Sequence, residues 1–218
     1  MMEESVIGEP RRIDFGPVLD RIFSKARKPE GVPTAPVAEP LRLPEGYTHA
    51  RWESVENASG LKAMVARLCK LPVEQSEWPL YIHGRPGTGK TCLAALFYSA
   101  FRRQPMWRRA DELLIEIGTS RTDGYGVLKE KLKHSPCVFL DDLGVRPPTE
   151  AMTQAMFDLM ELRARKALVI ISNHSPDALA KIYDERIVSR ITAGTTLEIA
   201  GADRRVGQGK RYLTGGNK

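Results

Sequence analysis

Lys90 and Thr91 close the octet Gly84-Arg85-Pro86-Gly87-Thr88-Gly89-Lys90-Thr91, which fits the pattern G-x-x-x-x-G-K-[ST]. Glycines open backbone angles closed to other residues, so successive N–H groups can point inward at an anion. A helix that starts directly after such a loop adds its unpaired N–H groups and the positive end of its dipole. In that setting Lys90 reaches the β- and γ-phosphates of a nucleoside triphosphate as a point charge, and the Thr91 hydroxyl ligates Mg²⁺. A Gly-Pro turn with a lone exposed lysine would share the pattern, but its flanks would not match. Leu80-Tyr81-Ile82-His83 suits a buried strand, and apolar residues run from Cys92 to Phe101 at helical spacing. Gly84 through Thr91, with Cys92 at the start of the helix, are thus the expected nucleotide-binding stretch.

Roughly 50 residues downstream, Val138-Phe139-Leu140-Asp141-Asp142 is an apolar strand ending in two carboxylates. A parallel strand delivers its C-terminal end to the same sheet edge as the loop. Asp141 is expected to hold Mg²⁺ through its water shell, and Asp142 to orient and deprotonate an attacking water. Paired aspartates also make turns, but not usually in this register with a phosphate loop. Leu168-Val169-Ile170-Ile171 ends in Ser172-Asn173, where the Asn173 amide can hydrogen-bond the attacking water or the γ-phosphate; a simple turn role is the alternative. His174 reads as a helix-entry residue. Arg186 and Arg190 stand one helical turn apart. Phosphoryl transfer benefits from an arginine that neutralises growing charge, and in ring ATPases the neighbouring subunit supplies it. Arg190 is the first candidate and Arg186 the second; an ion pair with Asp184 or Glu185 is the structural alternative.

These groups need a rigid frame, and the chain has the length for one. At 218 residues, 42% hydrophobic and 28% charged, it allows one α/β core plus an extension. Helices are expected at 58 to 70, from the loop to about 103, at 110 to 118, 126 to 134, 149 to 165, and twice within 176 to 191. Strands are expected at 80 to 83, 106 to 109, 138 to 140, 168 to 172 and 196 to 199. Strands alternating with helices predict a parallel five-stranded sheet covered on both faces. Met152, Ala155, Met156, Leu159 and Met160 form a helical stripe that reads as core.

Residues 1 to 50 differ from 51 to 218. Five prolines interrupt residues 28 to 46, the pattern of an extended linker. Ahead of it, Phe15, Val18, Leu19, Ile22 and Phe23 follow helical spacing, a short amphipathic helix that packs back on the core or docks on another protein. Cys69, Cys92 and Cys137 are odd in number and far apart, so reduced core thiols are expected rather than a disulfide or zinc framework. No apolar stretch approaches the roughly 20 residues that cross a bilayer, and no secretory signal opens the chain; a cytoplasmic protein is expected. A net charge of +6 suits a polyanionic partner. Its basic clusters, such as Arg108-Arg109 and Arg163-Arg165-Lys166, read singly as solvated faces.

In their order, these segments resemble the AAA+ ATPases of the DnaC/IstB type: residues 84–91, 138–144, 170–173, 186–191 and the closing Leu197-Glu198-Ile199-Ala200-Gly201-Ala202-Asp203-Arg204-Arg205. The resemblance spans about 52 to 205. It implies an AAA+ P-loop core with ATP and Mg²⁺ as cofactors, contact with single-stranded DNA, self-association into a ring or helix, and an N-terminal extension that grips a DnaB-like hexameric replicative helicase; the short stretch after the fifth expected strand leaves no room for the helical lid of larger AAA+ proteins. The expected function is ATP-controlled loading of that helicase onto single-stranded DNA. Alternatives are a transposase-helper ATPase that binds duplex DNA, a small P-loop kinase, and a nucleotide-binding adaptor without hydrolysis. The paired acids and Asn173 suit water attack better than transfer to a bound acceptor.

Overall fold

The computed structural model describes residues 46–48, 50–55, 58–68, 77–101, 103–119, 125–201 and 203. The expected helix around 15–23, most of the proline-rich stretch, Cys69 and the closing arginines and lysines lie outside them. Among the described residues five strands are present: β1 (Leu80–His83), β2 (Met106–Arg109), β3 (Val138–Leu143), β4 (Leu168–Ser172) and β5 (Thr195–Glu198). The helices are α1 (Ala58–Leu68), α2 (Lys90–Ser99), α3 (Ala110–Thr119), α4 (Tyr125–His134), α5 (Glu150–Leu162), α6 (Pro176–Leu179) and α7 (Glu185–Thr192). The sheet runs β2-β3-β4-β1-β5 with every pair parallel, as expected.

Side-chain alternation explains why short, wholly apolar strands fit this frame. Leu80, Ile82, Phe139, Val169, Ile171 and Leu197 join α1 and α2 in one cluster. Tyr81, Val138, Leu140, Leu168 and Ile170 join α3 to α7 in the other. Because both faces are covered, neither set can be polar. The methionine stripe of α5 is buried, as its spacing required. Cys137 is buried, whereas Cys92 is only partly so. No described helix is long and apolar enough to cross a membrane.

Two helices end earlier than their apolar spacing suggested. α2 stops at Ser99 because the N–H groups of Ala100 and Phe101 fold back on the carbonyls of Phe97 and Tyr98, tightening the last turn before β2. α5 stops at Leu162 because Arg163 leaves the helix path. Its Nη1 donates to the carbonyls of Leu132 (2.9 Å) and Ser135 (3.0 Å), and its Nη2 to that of Ala167. Arg163 is therefore no part of a solvated basic face. It is 3% exposed and ties the ends of α4 and α5 to the starts of β3 and β4.

Candidate functional site

The loop between β1 and α2 is shaped by close approach. A Cβ on Gly84 would lie 2.2 Å from the Ile199 carbonyl oxygen, and the Ile199 N–H donates to His83 O at 2.7 Å. The exit of β5 is thus zipped to the start of the loop. Gly87 has φ +76°, and a Cβ there would lie 1.7 Å from the Asp203 carboxylate, so the segment after β5 also packs on the loop. Arg85 O accepts from Lys90 Nζ (2.7 Å) and Thr88 Oγ1 (2.9 Å), which keeps the loop curled and the lysine buried inside it. Gly89 precedes α2 with no side-chain cap, whereas Thr149, Ser175 and Asp184 cap α5, α6 and α7. An uncapped first turn leaves its N–H groups to an anion. Burial and the Lys90 charge both hold the His83 imidazole below its ordinary pKa, against the opposing pull of Glu198.

β3 brings the acids to this loop. Thr91 Oγ1 lies 3.5 Å from Asp141 Oδ1, joining residues far apart in sequence. Asp141 also accepts from the Asp142 N–H at 3.0 Å. It is 5% exposed, and burial, then the neighbouring Asp142 charge, push its carboxyl up to about 6. Strand β3 is longer than its apolar run because it carries a bulge. Leu140 pairs with Ile170 and Leu143 with Ser172, so two residues of β3 stand opposite one of β4. Asp142, in that bulge, has φ +60°, a left-handed conformation that aspartate tolerates better than most residues. The bulge lets both carboxylates reach the nucleotide edge: Asp141 toward Thr91, Asp142 toward Arg109 of β2, whose Nη1 is 3.7 Å from Asp142 Oδ2.

Asn173, half-buried at the tip of β4, stands between the loop strand β1 and the acid-bearing strand β3. Its neighbours are fixed. Ser172 Oγ donates to Leu143 O (2.7 Å), His174 Nε2 is 3.1 Å from Gly144 O, and Tyr81 Oη donates to His174 O (2.7 Å). His174 thus ties two strand ends together.

Arg186 and Arg190 are placed elsewhere. Arg186 is clamped by Asp184 through Nε (3.0 Å) and Nη2 (3.1 Å), the ion pair weighed from sequence. Arg190 pairs with Glu161 of α5 at 3.8 Å, not with Asp184 or Glu185. Both guanidinium groups lie 5.4 Å from the Phe157 ring, and both residues are exposed. Asp184, Glu161 and Phe157 belong to neither the loop nor the acid pair.

Thr91 and Asp141 bring two hard oxygen donors together beside the glycine loop. Among the described residues no group of three or more His, Cys, Asp or Glu side chains forms a metal cage. That donor set suits Mg²⁺, which keeps several waters and takes one or two protein oxygens plus phosphates. Arg109, Asp203 and Tyr47 are the site's neighbours that sequence reasoning did not single out. The β2–β3 register, which sets Arg109 beside Asp141, is invisible in a linear chain.

A glycine loop leaving β1, an inner strand of a β2-β3-β4-β1-β5 parallel sheet, with acids at the end of β3, defines a P-loop core of the AAA+ class. Residues 42–191 match the family model described as IstB-like ATP binding protein. The chain belongs to that family. The chromosomal replication initiator protein DnaA of Streptococcus thermophilus is 30% identical over 135 residues, covering 57% of this chain and 30% of that protein. The chain therefore spans less than a third of that relative's length. Among solved structures, the DnaC helicase loader superposes with a TM-score of 0.60 at 21% identity, covering 72% of this chain and 100% of that one. DnaI gives 0.59 at 24% identity, covering 75% and 94%. At such identities the likeness is one of fold.

Proposed function

We propose that this chain is an ATPase switch that loads a hexameric, DnaB-like replicative helicase onto single-stranded DNA in the cytoplasm. The observation that carries the ATPase reading is the approach of Asp141 to Thr91 at 3.5 Å, where Lys90 and Thr91 open the uncapped helix α2. The loader reading is supported by a fold that spans the whole DnaC helicase loader chain.

The loop N–H groups and Lys90 bind the β- and γ-phosphates, and Thr91 with Asp141 hold Mg²⁺. The metal supplies charge neutralisation on the transferring phosphoryl group. Asn173 orients a water, which adds to the γ-phosphorus as the bridging oxygen leaves with ADP, and Asp142 accepts the water's proton. The exposed Arg190 of a neighbouring protomer completes the charge balance, with Arg186 as the second candidate. Arg190 is favoured because its ion pair is longer and single, whereas Arg186 is held twice by Asp184. Bound ATP favours the assembled state, and hydrolysis releases the partner.

The test is the ATPase rate against single-stranded DNA, with and without the host's replicative helicase. Slow basal turnover accelerated by both supports loading; no response to either overturns it. Mixed Asp142→Asn and Arg190→Ala subunits should regain part of the rate, since each donates what the other lacks. Rescue at no ratio rules out a finger in trans.

The IstB-like family match favours a second reading, a transposase-helper ATPase. Stimulation by duplex rather than single-stranded DNA would select it.

A further inference from the structure

Phe157 belongs to no motif above, yet both candidate finger arginines converge on it. Phe157 and Glu161 stand one helical turn apart on α5, and Arg186 and Arg190 one turn apart on α7, so each pair lies on a single helix face. Those faces meet: both guanidinium carbons lie 5.4 Å from the Phe157 ring centroid, and Arg190 Nη1 is 3.8 Å from Glu161 Oε1. Phe157 itself is partly buried and packs against the core cluster that holds Met156, Ile187 and Ile191. The ring is thus anchored in the core, while the side chains of Arg186 and Arg190, 78% and 47% exposed, lie at the surface.

The two contacts made by Arg190 act differently. Between side chains this exposed, the pair with Glu161 is worth little, and it tethers a long side chain that has many rotamers at a single point. A ring face within about 6 Å attracts the cation through its quadrupole and accepts no conventional hydrogen bond, so the guanidinium keeps its N–H donors for phosphate oxygens. A leucine could pack against the same core but would exert no such attraction. Aromaticity at this position therefore serves the arginines and not the packing alone.

We infer that Phe157 is a positioning residue for the finger, holding the Arg190 guanidinium, with Arg186 beside it, ready for the γ-phosphate bound by a neighbouring protomer. This rests on the finger in trans proposed above. The test is a mixed-subunit ATPase assay on full chains, in which the Asp142→Asn subunit, in saturating excess, donates Arg190 and the Arg190→Ala subunit hydrolyses. Phe157→Leu added to the donor should lower the rescued rate about 2- to 5-fold, the range of one exposed cation–π contact. Phe157→Tyr in the donor, which keeps a ring face, should hold the rate. Phe157→Leu added to the hydrolysing subunit instead should leave the rescued rate unchanged. A merely structural role would lower both arrangements alike. That result, no loss from the Phe157→Leu donor, or a faster rate because the ring sequesters the cation, would overturn the positioning role. If the parent pair shows no rescue at any ratio, the finger reading itself falls and takes this proposal with it.

Discussion

Asp142, at φ +60° in the bulge of β3, is held by Arg109 at 3.7 Å across the neighbouring strand. The group expected to take a proton from water is thus engaged by a cation that belongs to the same sheet edge. Both partners are partly exposed, so the pair contributes little to stability, about 0 to 1 kcal/mol. Its effect falls on chemistry instead.

Arg109→Ala should leave the melting temperature close to wild type and raise basal kcat roughly 2- to 10-fold, because an oxygen engaged by a guanidinium is less available to water. Steady-state ATPase assays check this. A fall in kcat would place Arg109 among the groups that assist the phosphate.

Lys90→Ala removes a buried ammonium from the loop interior. Charge-assisted hydrogen bonds contribute roughly 1.5–3 kcal/mol, so ATP should bind about 10- to 100-fold more weakly. Fluorescence anisotropy of a labelled nucleotide measures the change. Parental affinity would remove the loop from the binding site.

Asp141→Asn should stabilise the protein at neutral pH when nucleotide and metal are left out. Burial pushes the folded carboxyl up to about 6, against 3.8 for an ordinary aspartate. As pH rises from about 4 to 6 the unfolded chain loses this proton first, so stability declines through that window and is level above it. A displaced unit corresponds to about 1.4 kcal/mol, and a gain on the order of 1–3 kcal/mol is expected at pH 7. Urea denaturation between pH 4 and 7 should show the decline in the wild type and its loss in the variant. Nucleotide-dependent stabilisation by Mg²⁺ should weaken in the same variant.

Arg163→Met should destabilise by about 3 kcal/mol, since three carbonyls buried with the guanidinium lose their donors. ATP affinity, measured below the shifted melting temperature, should hold. A loss of affinity without a loss of stability would assign Arg163 to the site.

Much of the frame was legible because its signals are local. The bounds of β1, β2 and β4 follow from runs such as Leu80-Tyr81-Ile82-His83, and the start of α5 from its Thr149 cap. The helix ends were less so. Spacing of apolar residues continues past Ser99 and Leu162, and what stops those helices is a tightened turn in one case and a buried Arg163 in the other. Charge clusters were read as solvated faces, a rule that fails wherever distant carbonyls gather around one guanidinium.

The linear chain by itself determined the glycine loop, the strand-borne aspartates and the alternation that requires a doubly covered parallel sheet, because backbone freedom, hydrophobic period and charge are properties of neighbours in sequence. Tertiary structure alone decided that Asp142 leaves the strand line at a bulge, that Arg109 holds it, and that Arg186 and Arg190 share the Phe157 ring. Those relations depend on strand register and on the close approach of segments far apart along the chain. Register is set by the packing of whole faces and is written in no single stretch of residues.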